Sequence, residues 1–176
     1  MTSIRIGEKV GLFGAAVLTA GTLAFVPSWE GAVTEICHVA GICAALTIAI
    51  MVVAQLLGPA GIALERITAA LFLGGMPLVY VVRWLEVKGA GQGSTWLGVE
   101  AIGLPIYVGL AWLGLKRSPW FLVAGIIAHG VAWDAWHWLA HSAYVPDWYS
   151  VGCFVVDVAL GVYLALRVPA WEAHIA

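Results

Sequence analysis

Within the stretch AHGVAWDAWHWLAH, His129, Asp134, His137 and His141 recur among apolar and tryptophan residues. At about 100° per residue, a helix places them within an arc of roughly 140°. Gly130 shares that face and leaves room for a ligand or a neighbouring backbone. A single histidine there would be satisfied by a helix–helix contact. Three histidines and an aspartate on one face point instead to a site, because ionisable groups in an apolar span are costly and are directed inward. Trp133 and Trp136 flank Asp134 and are expected to wall a pocket. With His129, they are the candidates for holding a cofactor or substrate.

Further ionisable residues stand at matching positions in other apolar stretches: Glu35 and His38, Glu100, and Asp157. A metal site could use His137-x-x-x-His141 with His38 as three nitrogen ligands, leaving one position open. Asp134 or Asp157 would then orient a ligand or act as general base, and zinc or iron are the ions expected. Glu35-x-x-His38 and Asp134-x-x-His137, with Asp157 and Glu100, also fit the ligand pattern of a carboxylate-bridged dinuclear bundle. A second chemistry needs no metal. Glu35, Asp134 and Asp157 would give and take protons, and the tryptophans would stabilise a developing cation, as in a lipid isomerase or isoprenoid cyclase. A third possibility is non-catalytic: a membrane subunit whose histidines bind haem or a pigment. A proton or ion path is disfavoured, since there is no repeat and no polar chain continuing to the inner side, where Glu65-Arg66 is expected to be a mutual ion pair.

The elements that must position these groups are membrane helices. Of 176 residues, 62% are hydrophobic and 10% charged, and the mean hydropathy is +0.97. A soluble domain of this size lacks the interior to hide so much apolar surface. The net charge of −2, without a basic run, excludes a nucleic-acid binder. Six windows approach the roughly 20 apolar residues that a span needs: 10–26, 32–57, 61–85, 96–115, 119–141 and 149–168. The first has no small-residue cleavage signal and is expected to be retained. The three cysteines, Cys37, Cys43 and Cys153, form no disulfide framework, with Cys37 to Cys153 the one pairing left open.

The predicted fold is therefore all-α: a single-domain, polytopic six-helix membrane bundle. With the N-terminus inside, Arg5, Lys9, Arg66, Lys116, Arg117 and Arg167 lie at inner ends, against Arg83 and Lys88 outside, which favours N-in and C-in. Glu35, His38, Asp134, His137 and Asp157 then fall about 6–13 Å below the outer boundary, at about 1.5 Å per residue. The second, fourth, fifth and sixth segments would enclose one polar pocket in the outer-leaflet half of a multi-pass cell-membrane protein.

Two resemblances accompany this reading. His129-Gly130, Trp133-Asp134, His137, Val145-Pro146, Trp148-Tyr149, Cys153 and Asp157 resemble a small bacterial integral-membrane family of unknown function with an H-G-x-x-W-D-x-x-H motif. That resemblance implies that these residues are the working part and brings no activity. Thr34, His38, His137 and His141 are similar to the pattern of the alkaline ceramidase and progestin-receptor-like membrane hydrolases. Those proteins have seven spans and carry the H-x-x-x-H on the last one, whereas a further segment follows it here. The expectation is a membrane-embedded enzyme acting on a lipid or another apolar small molecule.

Overall fold

A computed structural model describes residues 36–87, 94–140, 142 and 145–175. The first apolar window, Glu35 and His141 lie outside the described residues, as does the side chain of His38. The described elements are helices α1 (Ile36–Leu56), α2 (Ile62–Val87), α3 (Ser94–Lys116), α4 (Trp120–Ala128), α5 (Ala135–Leu139) and α6 (Asp147–Ile175). A 3-10 turn, Gly58–Gly61, joins α1 to α2, and a π-helical turn, His129–Asp134, joins α4 to α5 in one helical run.

Among the described residues, four helices are long and apolar enough to cross a membrane, over Val39–Leu56, Gly58–Leu85, Leu97–Lys116 and Asp147–His174. Burial is inside-out relative to a water-soluble protein. Leu71 is 71% exposed and Ile102 62%, whereas Glu65, Glu100 and Asp134 are fully buried. An apolar exterior around a polar interior suits lipid as the solvent.

Short connections make successive helices neighbours. α1 packs on α2, α2 on α3, α3 on α4, and α6 against both α4 and the π turn. The core joins Leu73, Ile126, Leu122, Leu160, Leu164 and Trp171. Without a hydrophobic drive between helices in lipid, close approach depends on small residues. A Cβ on Gly125 would lie 2.6 Å from Leu73 Cδ2, and one on Gly161 would lie 2.3 Å from Ile127 Cγ1. Gly58 turns the chain between α1 and α2 at φ 61°, the left-handed region that glycine enters without strain.

Two sequence expectations are corrected. The last helix continues through Pro169 to Ile175 rather than ending at Val168. Its extra turns are held because Arg167 and Trp171 both bind Glu65. Glu65 therefore pairs with Arg167, Nε to Oε1 at 2.9 Å, and not with its neighbour Arg66. Adjacent residues on a helix diverge by about 100°, and Arg66 turns away to donate to the Gly114 and Leu115 carbonyls at the end of α3. The Cys37–Cys153 pairing involves a side chain, that of Cys37, which lies outside the described residues.

Candidate functional site

The π turn sets the geometry of the site. Ala135 N–H donates to the Gly130 carbonyl five residues back, instead of four. In an α-helix, residues five apart are separated by about 140° around the axis. Closing the turn with an i→i+5 bond widens it and brings them onto one side of the helix. His129 and Asp134 consequently sit side by side, with Nδ1 3.4 Å from Asp134 Oδ2. Ideal helical spacing had spread them across the whole width of the polar stripe.

From α6, Asp157 completes the group. Its Oδ2 lies 2.8 Å from the same His129 Nδ1. Gly130 makes this approach possible, because a Cβ there would lie 2.8 Å from Asp157 Cβ and 3.3 Å from the Phe154 carbonyl oxygen. His129, Asp134 and Asp157 are all buried, and one ligand atom from each lies within 4.8 Å of the others. Tyr80 of α2 donates its O–H to Asp134 Oδ1. Among the described residues, Asp134 Oδ2 and His129 Nε2 are buried without a hydrogen-bond partner.

His137, two α-helical residues into α5, serves a different neighbourhood. Its Nε2 faces Glu100 Oε1 at 3.0 Å and its Nδ1 bonds Ser142 Oγ at 2.8 Å. Tyr80 stacks on its ring, with centroids 4.2 Å apart and planes 18° from parallel, and so bridges the two groups. Trp133 donates its Nε1–H to Glu100 Oε2 at 3.2 Å and lies against Gly103, whose Cβ position is 2.6 Å from its ring. Trp136 meets His137 edge-on and is 37% exposed.

The structure thus brings together His129, Asp134 and Asp157, and beside them Glu100, His137 and Trp133. His137, expected from spacing as a metal ligand, stands beside the triad with Nε2 on Glu100 and Nδ1 on Ser142. His38 and His141, the other two members of that set, and Glu35 fall outside what is described. Tyr80, Tyr107 and Ser142 escaped a reading based on ionisable residues. Tyr80 and Tyr107 carried a signal: each places a hydroxyl within an apolar span, away from the interfacial level where tyrosine usually sits. Tyr107 packs edge-on against His129, with centroids 4.9 Å apart.

An apolar groove of about 750 Å³ runs between α1, α2 and α6, lined by Val39, Thr47, Phe72, Met76, Val79 and Cys153 among others. His129 and Asp157 also line it, and neither Trp133 nor Trp136 does. Trp148, Tyr149 and Phe72 are the large aromatic side chains along this groove, among mostly aliphatic neighbours. Trp133 is occupied with Glu100 instead. An imidazole bonded at Nδ1 to one carboxylate, with a second 3.4 Å away, is a centre for positive charge. Compared with protein-family models, curated proteins and solved structures, the chain matches none.

Proposed function

We propose that this chain is a membrane-embedded enzyme acting on a lipid or another molecule with an apolar chain, and that His129, Asp134 and Asp157 form its reactive centre. One observation carries the reading: the groove between α1, α2 and α6 is apolar along its length yet includes His129 and Asp157 in its lining. Binding sites for apolar ligands combine this kind of lining with a few convergent polar groups. The substrate's chain would lie in the groove and its polar or unsaturated end would meet the imidazole. The two carboxylates would hold the ring and balance a positive charge at the centre, carried by a proton on His129 or by a cation. In this reading the bundle has six spans with both termini inside, and the centre sits in the outer-leaflet half. A bis-histidine haem site gains no support, because both nitrogens of His137 are already engaged.

The test is turnover of membrane-lipid and isoprenoid extracts by the protein in detergent, followed by mass spectrometry. Wild type should convert at least one species, His129→Gln should not, and Gly152→Phe should slow conversion by filling the groove at a position with nothing within 4 Å. Equal behaviour of wild type and His129→Gln towards every species would end the proposal.

A further inference from the structure

We infer that His129, Asp134 and Asp157 bind one divalent transition-metal cation. The inference concerns the same centre as the function proposed above but needs no substrate. Metal–ligand bonds to imidazole and carboxylate are about 2.0–2.2 Å long, which sets tetrahedral donors about 3.3–3.5 Å apart. His129 Nδ1 and Asp134 Oδ2 already stand 3.4 Å apart. Asp157 Oδ2, at 2.8 Å from the same nitrogen, would withdraw by only about half an ångström to meet that spacing.

A separate observation points to a ligand at this place. Tyr80 fixes Asp134 through Oδ1, while Oδ2 faces His129, fully buried and without a hydrogen-bond partner among the described residues. Outer hydrogen bonds that orient one carboxylate oxygen and free the other are a regular feature of metal sites. Charge agrees as well. Two carboxylates and a neutral imidazole balance a dication, giving a neutral complex at a depth where net charge is costly.

The donor set is one nitrogen and two oxygens. It suits zinc, manganese, iron(II) or cobalt(II) better than calcium or magnesium, which prefer all-oxygen sites, and it contains no sulfur to select copper(I). Three protein ligands leave at least one position open. Because His129 and Asp157 line the groove, that position is accessible to the polar end of whatever lies there. The ligand set differs from the one suggested by spacing, since His137 is directed to Glu100 and Ser142.

The experiment uses the full chain in detergent, stripped with chelator and titrated with cobalt(II) alone, then with zinc or manganese. Bound metal is read by elemental analysis and by the visible absorption of cobalt. We expect one cation per chain in the wild type. Asp134→Asn and Asp157→Asn, which preserve side-chain size, should bind at least about tenfold more weakly, and His137→Gln should bind like the wild type. Helical content by circular dichroism must match before variants are compared. Wild type alone also decides: pulsed EPR of the manganese-loaded protein should show a single coordinating histidine nitrogen. A folded wild type that takes up no cation, coupling to three histidines, or undiminished binding in both Asn variants would overturn the assignment. None of these readouts involves a lipid, so failure of the lipid reading and failure of the cation site are told apart.

Discussion

Replacing Gly130 with alanine adds one methyl group at the point where the π turn meets α6. The new carbon would lie 2.8 Å from Asp157 Cβ and 3.3 Å from the Phe154 carbonyl oxygen. Non-bonded carbons rest at about 3.5–4.0 Å, so α6 must withdraw by roughly 0.7–1.2 Å at the residue that holds His129. Neither obstacle is the end of a flexible side chain, which leaves backbone displacement as the response. Overpacking of this kind costs about 1–3 kcal/mol, offset by up to about 1 kcal/mol from alanine's better helix propensity. Gly109→Ala is the matched control, because its Cβ would meet nothing within 4 Å and only the propensity gain remains. Thermal unfolding of both variants in the same detergent is the assay, with about 2–4 °C expected per kcal/mol for a chain of this size. Gly130→Ala should melt several degrees below Gly109→Ala and should slow lipid turnover, since Asp157 has moved off the imidazole. A Gly130→Ala protein as stable as the control and still active would refute the argument that this glycine sets the site.

Other perturbations separate the roles of neighbouring groups. Tyr80→Phe keeps the ring stacked on His137 but removes the O–H on Asp134. It should lower cation affinity about 10–100-fold in the cobalt titration, with helical content unchanged. Glu65→Gln breaks the buried pair with Arg167 and should destabilise by about 3–5 kcal/mol. Glu65→Gln combined with Arg167→Met should recover part of that loss in thermal melts, because no buried charge is then left alone. Trp133→Phe deletes the donor to Glu100 and leaves that carboxylate with His137; about 1–3 kcal/mol of stability should be lost, with cobalt affinity retained.

The helices described by the structure were legible because length and hydropathy sufficient to cross a membrane are displayed directly in sequence. α2 and α3 begin and end within about two residues of their predicted windows. The end of α6 was not legible, because Pro169 reads locally as a stop and the contacts of Arg167 and Trp171 with Glu65 are made across more than a hundred residues. Within the site, residue types pointed to His129, Asp134 and Asp157, yet their grouping depended on the phase of the helix. An ideal 3.6-residue period placed His129 and Asp134 at opposite edges of the stripe. One i→i+5 closure joins them and leaves His137 to Glu100. Nothing in HGVAWD announces that closure except Gly130, whose lack of a side chain matters only once Asp157 lies against it. The partner of a mid-span tyrosine such as Tyr80 is equally a tertiary fact.

The Glu65 set and the His129 centre differ in how completely their carboxylates are matched, and the difference bears on function. Around Glu65, Oε1 accepts from the Tyr163 hydroxyl and Arg167 Nε, and Oε2 from Arg167 and the Trp171 indole N–H. Such a closed set fixes register, because every alternative sliding of α6 along α2 would strand a charge. It lies about 22 Å along α2 from Tyr80, at a rise of 1.5 Å per residue. Asp157 is about 15 Å along α6 from Arg167 by the same measure. The helix that carries Asp157 is therefore anchored away from the site, by contacts that do not involve it. With register set there, Asp134 Oδ2 and His129 Nε2 can stay unmatched without the helices shifting to satisfy them. An unmatched buried polar atom held on rigid elements is poised to bind an added group, and here two of them belong to the residues that meet the groove or face its lining.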